Sequence, residues 1–190
     1  MRQSLFHQTN FPKRIDYLQN SSIMEKLTAE DVKRILNLHP HPREGGWYNR
    51  TYESPERLAM PCGERRAATA IYYLLEHDTF SEMHVLGSEE LFHHYTGAPV
   101  ELLQLHEDGS ASRHVLGSDL AAGERPQLLV PRGVWQGSRL LPGSDRTAFA
   151  LLGCTVSPGF EYEDYQSAPR DMLVAQWPTE AKLITALTNF

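Results

Sequence analysis

The sequence predicts an all-β sandwich or barrel with minor flanking helices. Three observations carry that prediction: short runs rich in β-forming residues recur at roughly 8 to 12 residue spacing, Gly and Pro punctuate them, and helical spacing appears near the chain ends. A length of 190 residues with 41% hydrophobic content suits one globular domain plus tails, enough to bury a core without staples.

Residues 1–24 mix Arg2, Lys13 and Arg14 with amides and hydroxyls around a single acid, Asp16, and show no period, so a loosely ordered extension is expected. Thr28 followed by Asp31 resembles a capping signal, and Val32, Ile35 and Leu36 form an apolar stripe, which predicts a helix over 28–38. His39-Pro40-His41-Pro42 should end it, since proline excludes the preceding residue from helical geometry. With no acid or cysteine at ligand spacing, this segment reads as an exposed turn rather than a metal site.

The glycine pair of Glu44-Gly45-Gly46-Trp47-Tyr48 permits close backbone approach, and the aromatic and β-branched residues after it favour a strand. No Lys-Ser/Thr or helix follows, so it is not a phosphate loop. Residues 55–66 are polar and contain proline, giving an expected loop over a mouth, and 67–75 read as a buried strand. Further strands are expected over 100–106, 112–116, 126–130, 133–138 and 148–156, with Asp108-Gly109 as hairpin chemistry. Short helices are expected over 168–176 and 179–187, the latter as a C-terminal element within 179–190.

Between these lies 80–97, FSEMHVLGSEELFHHYTG, where polar groups sit at strand spacing in place of hydrocarbon. Strand alternation puts Glu82 with His84 on one face and, beyond a Gly87-Ser88 turn, Glu90, Phe92 and His94 on another. Two such arms aim acids and imidazoles into a common space, while His93 should face away with Leu91 and Tyr95. A histidine beside a buried carboxylate can move protons near neutral pH, so His84 and Glu90 are the candidate catalytic pair, with Tyr73 or Tyr95 as phenol donors.

Net charge of −6 and a pI near 5.8, with no Lys/Arg cluster, argue against nucleic acid as a partner. No apolar stretch has the length of a bilayer span, and no secretory signal is evident, so a cytoplasmic protein without a membrane partner is expected. Cys62 reads as a loop thiol and Cys154 as a small buried hydrophobe.

The residues resemble a cupin, a jelly-roll or double-stranded β-helix barrel. Glu90 and Gly97 fit the end of the first cupin motif, His84 matches its second histidine with a spacing one longer, and Pro131-Arg132-Gly133-Val134-Trp135-Gln136 matches the second motif with glutamine in place of histidine. The chain is similar in particular to the cupin-5 family of domains of unknown function, through Glu44-Gly45-Gly46-Trp47-Tyr48, Thr69 to Leu75, Phe80-Ser81, Val130 to Trp135 and Pro158-Gly159-Phe160 with Asp164. The resemblance implies a single cupin domain over 25–178, commonly a homodimer, with an internal pocket.

In metal-dependent cupins three histidines and a glutamate hold a divalent ion, and the matching positions here are Glu82, His84, Glu90 and Gln136. Two imidazoles are thus replaced, which leaves the cofactor open between a divalent metal ion and none and favours none. The leading expectation is a small polar molecule, sugar-like or carboxylate-bearing, held by His84, Glu90 and Gln136, with Glu82, Phe92, His94 and Tyr73 as further ligand-binding candidates. The alternatives are a metal-independent isomerase or epimerase using His84 and Glu90, a metal-dependent oxygenase with a degenerate ligand set, and a structural dimer whose pocket is vestigial.

Overall fold

The computed structural model describes residues 27–60 and 63–189, so the expectations for 1–24 and for Cys62 lie outside the described residues. In chain order the strands are β1 (His39–Pro40), β2 (Trp47–Glu53), β3 (Arg57–Met60), β4 (Gly63–Arg66), β5 (Thr69–Glu76), β6 (Phe80–Leu86), β7 (Glu89–Gly97), β8 (Val100–Leu105), β9 (Ala111–Leu116), β10 (Gln127–Val130), β11 (Trp135–Leu140), β12 (Phe149–Ser157) and β13 (Tyr165–Ser167). They build a six-stranded sheet in the order β1-β2-β5-β12-β7-β10 and a five-stranded sheet in the order β13-β6-β11-β8-β9. Neighbouring strands within both sheets pair antiparallel. The expected all-β class therefore stands, with β3 and β4 forming a hairpin where a loop was expected and β1 and β13 as short strands the pattern did not reveal.

Alternation along each strand separates an inner from an outer layer. Tyr73 and Leu75 of β5, Phe92 of β7, Leu102 of β8 and Leu152 of β12 meet in one buried cluster between the sheets. Outside the six-stranded sheet, helix α1 (Ala29–Leu36) sets Val32 and the following Leu38 on Leu74 of β5. Its Lys33 bonds Glu76 at 2.6 Å and lies 4.0 Å over the Trp47 ring, a cation buried with both partners it needs. The Thr28–Asp31 capping box forms as read from the sequence. The helix ends two residues earlier than expected: Asn37 takes the left-handed conformation (φ 52°), and His39-Pro40 pairs with Trp47 and Tyr48 instead.

Outside the five-stranded sheet, α2 (Arg170–Gln176) and α3 (Ala181–Ala186) bury Leu173, Trp177, Leu183 and Ile184 against Met83, Leu103 and Leu105. Trp135 packs into this outer cluster, as its alternation away from Gln136 implied. The helices thus cover sheet faces while one mouth of the barrel is roofed by a strap over 158–164. Gly159 N–H donates to Arg66 O at 2.7 Å, Phe160 N–H to the Thr69 hydroxyl at 3.0 Å, and Arg65 grips Asp164 through Nε at 2.7 Å and Nη2 at 3.0 Å. The β3–β4 hairpin is therefore the fastening of the roof.

The loop before β2 enters that mouth. Gly45 and Gly46 adopt φ of +86° and +66°, and a Cβ on Gly45 would stand 2.5 Å from Phe80 O and one on Gly46 2.8 Å from Leu74 O. Only glycine fits both the sign of φ and the gap. Gly46→Ala should lower the free energy of unfolding by about 2–4 kcal/mol, combining left-handed strain with overpacking. Urea titration reads this directly, and a loss below about 1 kcal/mol would show that the loop shifts freely.

Candidate functional site

The barrel interior changes character along its axis. On the paired strands β5, β12 and β7, the rung of Thr69, Val156 and Glu90 lies at the roofed mouth, while Tyr73, Leu152 and His94 lie four residues along each strand. Hydrocarbon fills the latter part, and polar side chains gather toward the former.

Glu44 reaches this polar end because its loop is pinned from three sides: Glu82 N–H donates to Glu44 O at 2.8 Å, the Tyr73 hydroxyl to Gly45 O at 2.9 Å, and His41 N–H to Gly46 O at 3.0 Å. Its carboxylate, bonded by the Ser81 hydroxyl, borders the same inner cavity as Glu90. Glu90 accepts from Gln136 Nε2 at 2.6 Å and from the Cys154 thiol. Burial pushes Glu44 up to about 7, and burial together with the charge of Glu44 pushes Glu90 up to about 7. Two carboxyl groups in one dry space cannot both ionise cheaply, so both hold their protons to higher pH than an ordinary carboxyl does.

His41 completes the cavity wall. Its Nδ1 accepts from Glu44 N–H at 2.9 Å, which leaves the proton on Nε2, 3.7 Å from Glu44 Oε1. Burial, and secondarily the charge of His84, push it down to about 4, so it stays neutral at pH 7. Sequence reasoning took this histidine for part of an exposed turn; its side chain is in fact only 4% exposed, whereas His39 is exposed.

Of the residues singled out from sequence, Glu90 lines the inner cavity, and Gln136 and His84 stand behind it as cross-strand partners. His84 Nδ1 lies 2.7 Å from Glu82 O; a carbonyl only accepts, so Nδ1 carries the proton and Nε2 is a buried lone pair without a partner among the described residues. Burial lowers its pKa against the opposing charge of Glu90. Glu82 does not share the face of His84. Gln136 pairs with His84 but Ser138 with Ser81, so a bulge on β6 brings Ser81 and His84 inward together. The Glu82 carboxylate is left to accept from Asn189 N–H at 3.3 Å.

On β7 the expected face holds, since Glu90, Phe92 and His94 pair with Val156, Cys154 and Leu152. Phe92 belongs to the apolar part, and His94 turns to Ala98 O at 3.0 Å, away from the cavity. His93 stacks on Tyr95 on the outer face as anticipated, and that placement removes Tyr95, half exposed, as an interior phenol donor. Tyr73 is fully interior and braces the Glu44 loop. Burial and the nearby Glu44 charge raise its phenol well above the usual range.

A metal-binding role asks for convergent donors. Among the described residues no group of three His, Cys, Asp or Glu side chains converges to hold an ion, Gln136 turns its NH₂ rather than its carbonyl toward Glu90, and Glu82 is engaged at the rim. The residues present do not fit the ion of metal-dependent cupins. No described helix is long and apolar enough to cross a membrane.

The inner cavity measures about 30 Å³ and is bordered by His41, Glu44, Glu90, Thr69 and the strap residues Phe160 and Tyr162. An outer cleft of about 330 Å³, between His39, Tyr48, Asn49, Arg50 and Tyr162, shares Tyr48, Arg50 and Tyr162 with it. Nothing in the sequence pattern marked Glu44 as a site residue. The usable signal was its place beside a glycine pair, which brings backbone, and hence the preceding side chain, close to other strands.

Two antiparallel sheets closed around polar groups at one mouth define a jelly-roll barrel of the cupin kind. The chain belongs to the Cupin_5 family (DUF985) of the cupin superfamily, whose model matches residues 30–168. It is 29% identical over 134 residues to the uncharacterized protein YML079W of Saccharomyces cerevisiae, spanning 65% of this chain and 67% of that one. Among solved structures it is similar to protein SO0799 from Shewanella oneidensis, with 34% identity and a TM-score of 0.77 over 86% of this chain and 99% of that one. A hypothetical protein from Leishmania major matches with 30% identity and a TM-score of 0.77 over 85% and 99%.

Because the raised carboxyl values come from burial and mutual repulsion, Glu44→Gln should move the Glu90 carboxyl titration below 7 while leaving it above the ordinary carboxylate range. A raised folded value binds protons more tightly than the unfolded chain, so this stabilisation is present in acid and is lost as pH rises through about 7. Wild type should therefore lose stability relative to Glu44→Gln between pH 5 and 8. Carbon-13 detection of the Glu90 carboxyl checks the first outcome; an unmoved midpoint would mean that the charge of Glu44 does not act on Glu90.

Proposed function

We propose that this chain binds a small hydroxyl-bearing, sugar-like molecule at the roofed mouth, its body in the outer cleft and one polar group in the inner cavity. The observation that carries the reading is that Glu44 and Glu90 border one cavity, where burial raises both carboxyls toward neutral pH. Such a pair both donates and accepts, which matches an alcohol hydroxyl. Size supports the same division: the outer cleft is as large as ordinary ligand pockets, and the inner cavity has room for one functional group or a water or two. The carboxylate-bearing form of the ligand has less support, since its charge would sit beside two acids with Arg50 as the cation shared by both spaces.

A second reading, metal-independent isomerase or epimerase chemistry, is favoured by one observation: two carboxyls raised by burial toward neutral pH border the same space. In it Glu44 and Glu90 exchange the proton, and His84 stays neutral beside Glu90 without touching substrate. Native mass spectrometry of freshly purified protein should show a small neutral adduct, and calorimetric titration with monosaccharides should show saturable heat that Glu90→Gln reduces at least tenfold. Neither adduct nor heat would end the binding reading. Repeating the titration in deuterium oxide separates the second reading, which requires deuterium to enter a carbon–hydrogen bond of the bound sugar and Glu44→Gln to abolish that exchange.

The homodimer is proposed on the outer face of the six-stranded sheet, where Tyr95 and Leu129 are about half exposed beside Tyr72. Sedimentation equilibrium should give twice the 21.6 kDa chain mass, and Tyr95→Glu should shift the protein toward the monomer. A wild-type monomer at micromolar concentration would dismiss this interface.

A further inference from the structure

The strap continues into β13, whose Tyr165 pairs across the sheet with Leu86, itself a wall of the inner cavity. Its ring is clamped on two counts: it stacks on His84 with centroids 5.1 Å apart at 21°, and the Arg43 guanidinium lies 5.7 Å from its centroid. Yet the clamped phenol ends in a hydroxyl that is buried and without a hydrogen-bond partner among the described residues. The same holds for His84 Nε2 and for Gln136 Oε1, the cross-strand neighbour of His84. These residues are 8%, 1% and 1% exposed. Leaving one buried polar atom unmet costs about 1–3 kcal/mol. Ser138 Oγ and Trp177 Nε1 are unmet as well, but the atoms of Tyr165, His84 and Gln136 belong to one stacked pair and its cross-strand neighbour.

We infer that Tyr165, His84 and Gln136 form a second polar subsite, which takes a further hydroxyl of the same ligand. The chemistry follows from the atoms. His84 Nε2 and Gln136 Oε1 can only accept, because Nδ1 holds the imidazole proton and Oε1 is a carbonyl. The Tyr165 hydroxyl supplies the donor. A ligand hydroxyl accepts from Tyr165 and gives its single proton to one of the two acceptors, whereas a carboxylate or a ketone has no proton to give and an ammonium no lone pair to accept with. Together with the Glu44–Glu90 cavity this describes a ligand that presents one hydroxyl to each subsite. The inference rests on the binding reading above and adds the residue that discriminates a polyol from a simple alcohol.

Tyr165→Phe tests it, because it keeps the ring, its stack on His84 and its contact with Arg43 while deleting the unpaired hydroxyl. The probes are D-glucose, D-mannose, L-rhamnose and myo-inositol, added to protein carrying nitrogen-15 in histidine and carbon-13 in tyrosine ring and glutamate carboxyl positions. The expected result is that a probe moves the Glu44 and Glu90 signals together with those of His84 Nε2 and Tyr165, that Tyr165→Phe weakens that probe at least tenfold, and that the variant melts no lower than wild type. Carboxyl signals that move while His84 and Tyr165 stay fixed, or equal affinity in Tyr165→Phe, would overturn the subsite and leave the binding reading intact. A marked fall in melting temperature would overturn it as well, by showing that the hydroxyl serves the fold, with water only as its partner. If no probe moves any of the signals, both proposals fall together.

Discussion

The structure turns on the cost of keeping two carboxyl groups inside a barrel of hydrocarbon. Moving an ionised carboxylate out of water costs on the order of several kcal/mol even after the protein relaxes, and two in one space add mutual repulsion. What surrounds Glu44 and Glu90 offsets that cost piece by piece: the Ser81 hydroxyl on Glu44, the Gln136 amide and the Cys154 thiol on Glu90, and raised pKa values that favour the uncharged forms. The neutral tautomer of His41 belongs to the same accommodation, since a backbone N–H fixes its lone pair and turns its own N–H toward Glu44. Every one of these partners comes from a different strand or loop, so the acids can stay buried only while the barrel is closed.

That dependence explains the division of labour in the fold. The helices lie on outer sheet faces, where Met83, Leu103 and Leu74 need apolar cover, and leave the roofed mouth to loops. The roof is held by groups that pair strongly: buried Arg65 and Asp164 in two charge-assisted bonds, and the strap backbone bonded to Arg66 and Thr69. A sheet or helix there would have filled the mouth with its own side chains. A strap carrying Phe160 and Tyr162 instead borders it with aromatic rings, and Tyr165 follows on β13.

The sequence made the architecture legible because its signals were local. Period-two alternation located most of the strands, the Thr28–Asp31 box started the first helix where it begins, and the Glu90–Phe92–His94 face followed from alternation alone. The site was legible in part, for Glu90, His84 and Gln136 do lie side by side in the interior. Glu82 was misplaced because a single-residue bulge on β6 reverses the alternation upstream of His84, and nothing in the residue types announces a bulge there. Glu44, His41 and Tyr165 were missed for a related reason. They sit on loops, or on a short terminal strand, where no period exists to read, and their inward aim is set by glycine φ values and by tethers to residues distant in the chain.

The protonation of Glu90 also decides what the interior offers a ligand. Gln136 now donates its NH₂ to Glu90, which requires Glu90 to accept and leaves Oε1 as an unmet acceptor beside His84. With the proton on Glu90, the acid becomes a donor, and the same amide must turn its carbonyl toward it to accept. The Glu90 carboxyl and the Gln136 amide are thus one hydrogen-bonded unit whose direction is set by the proton on Glu90. Replacing Gln136 by the histidine of the usual second cupin motif would break that unit, because an imidazole cannot exchange a donor for an acceptor at one position without changing tautomer. The glutamine that removes a metal ligand is, on this account, the residue that lets a buried proton reorganise the barrel's hydrogen bonds.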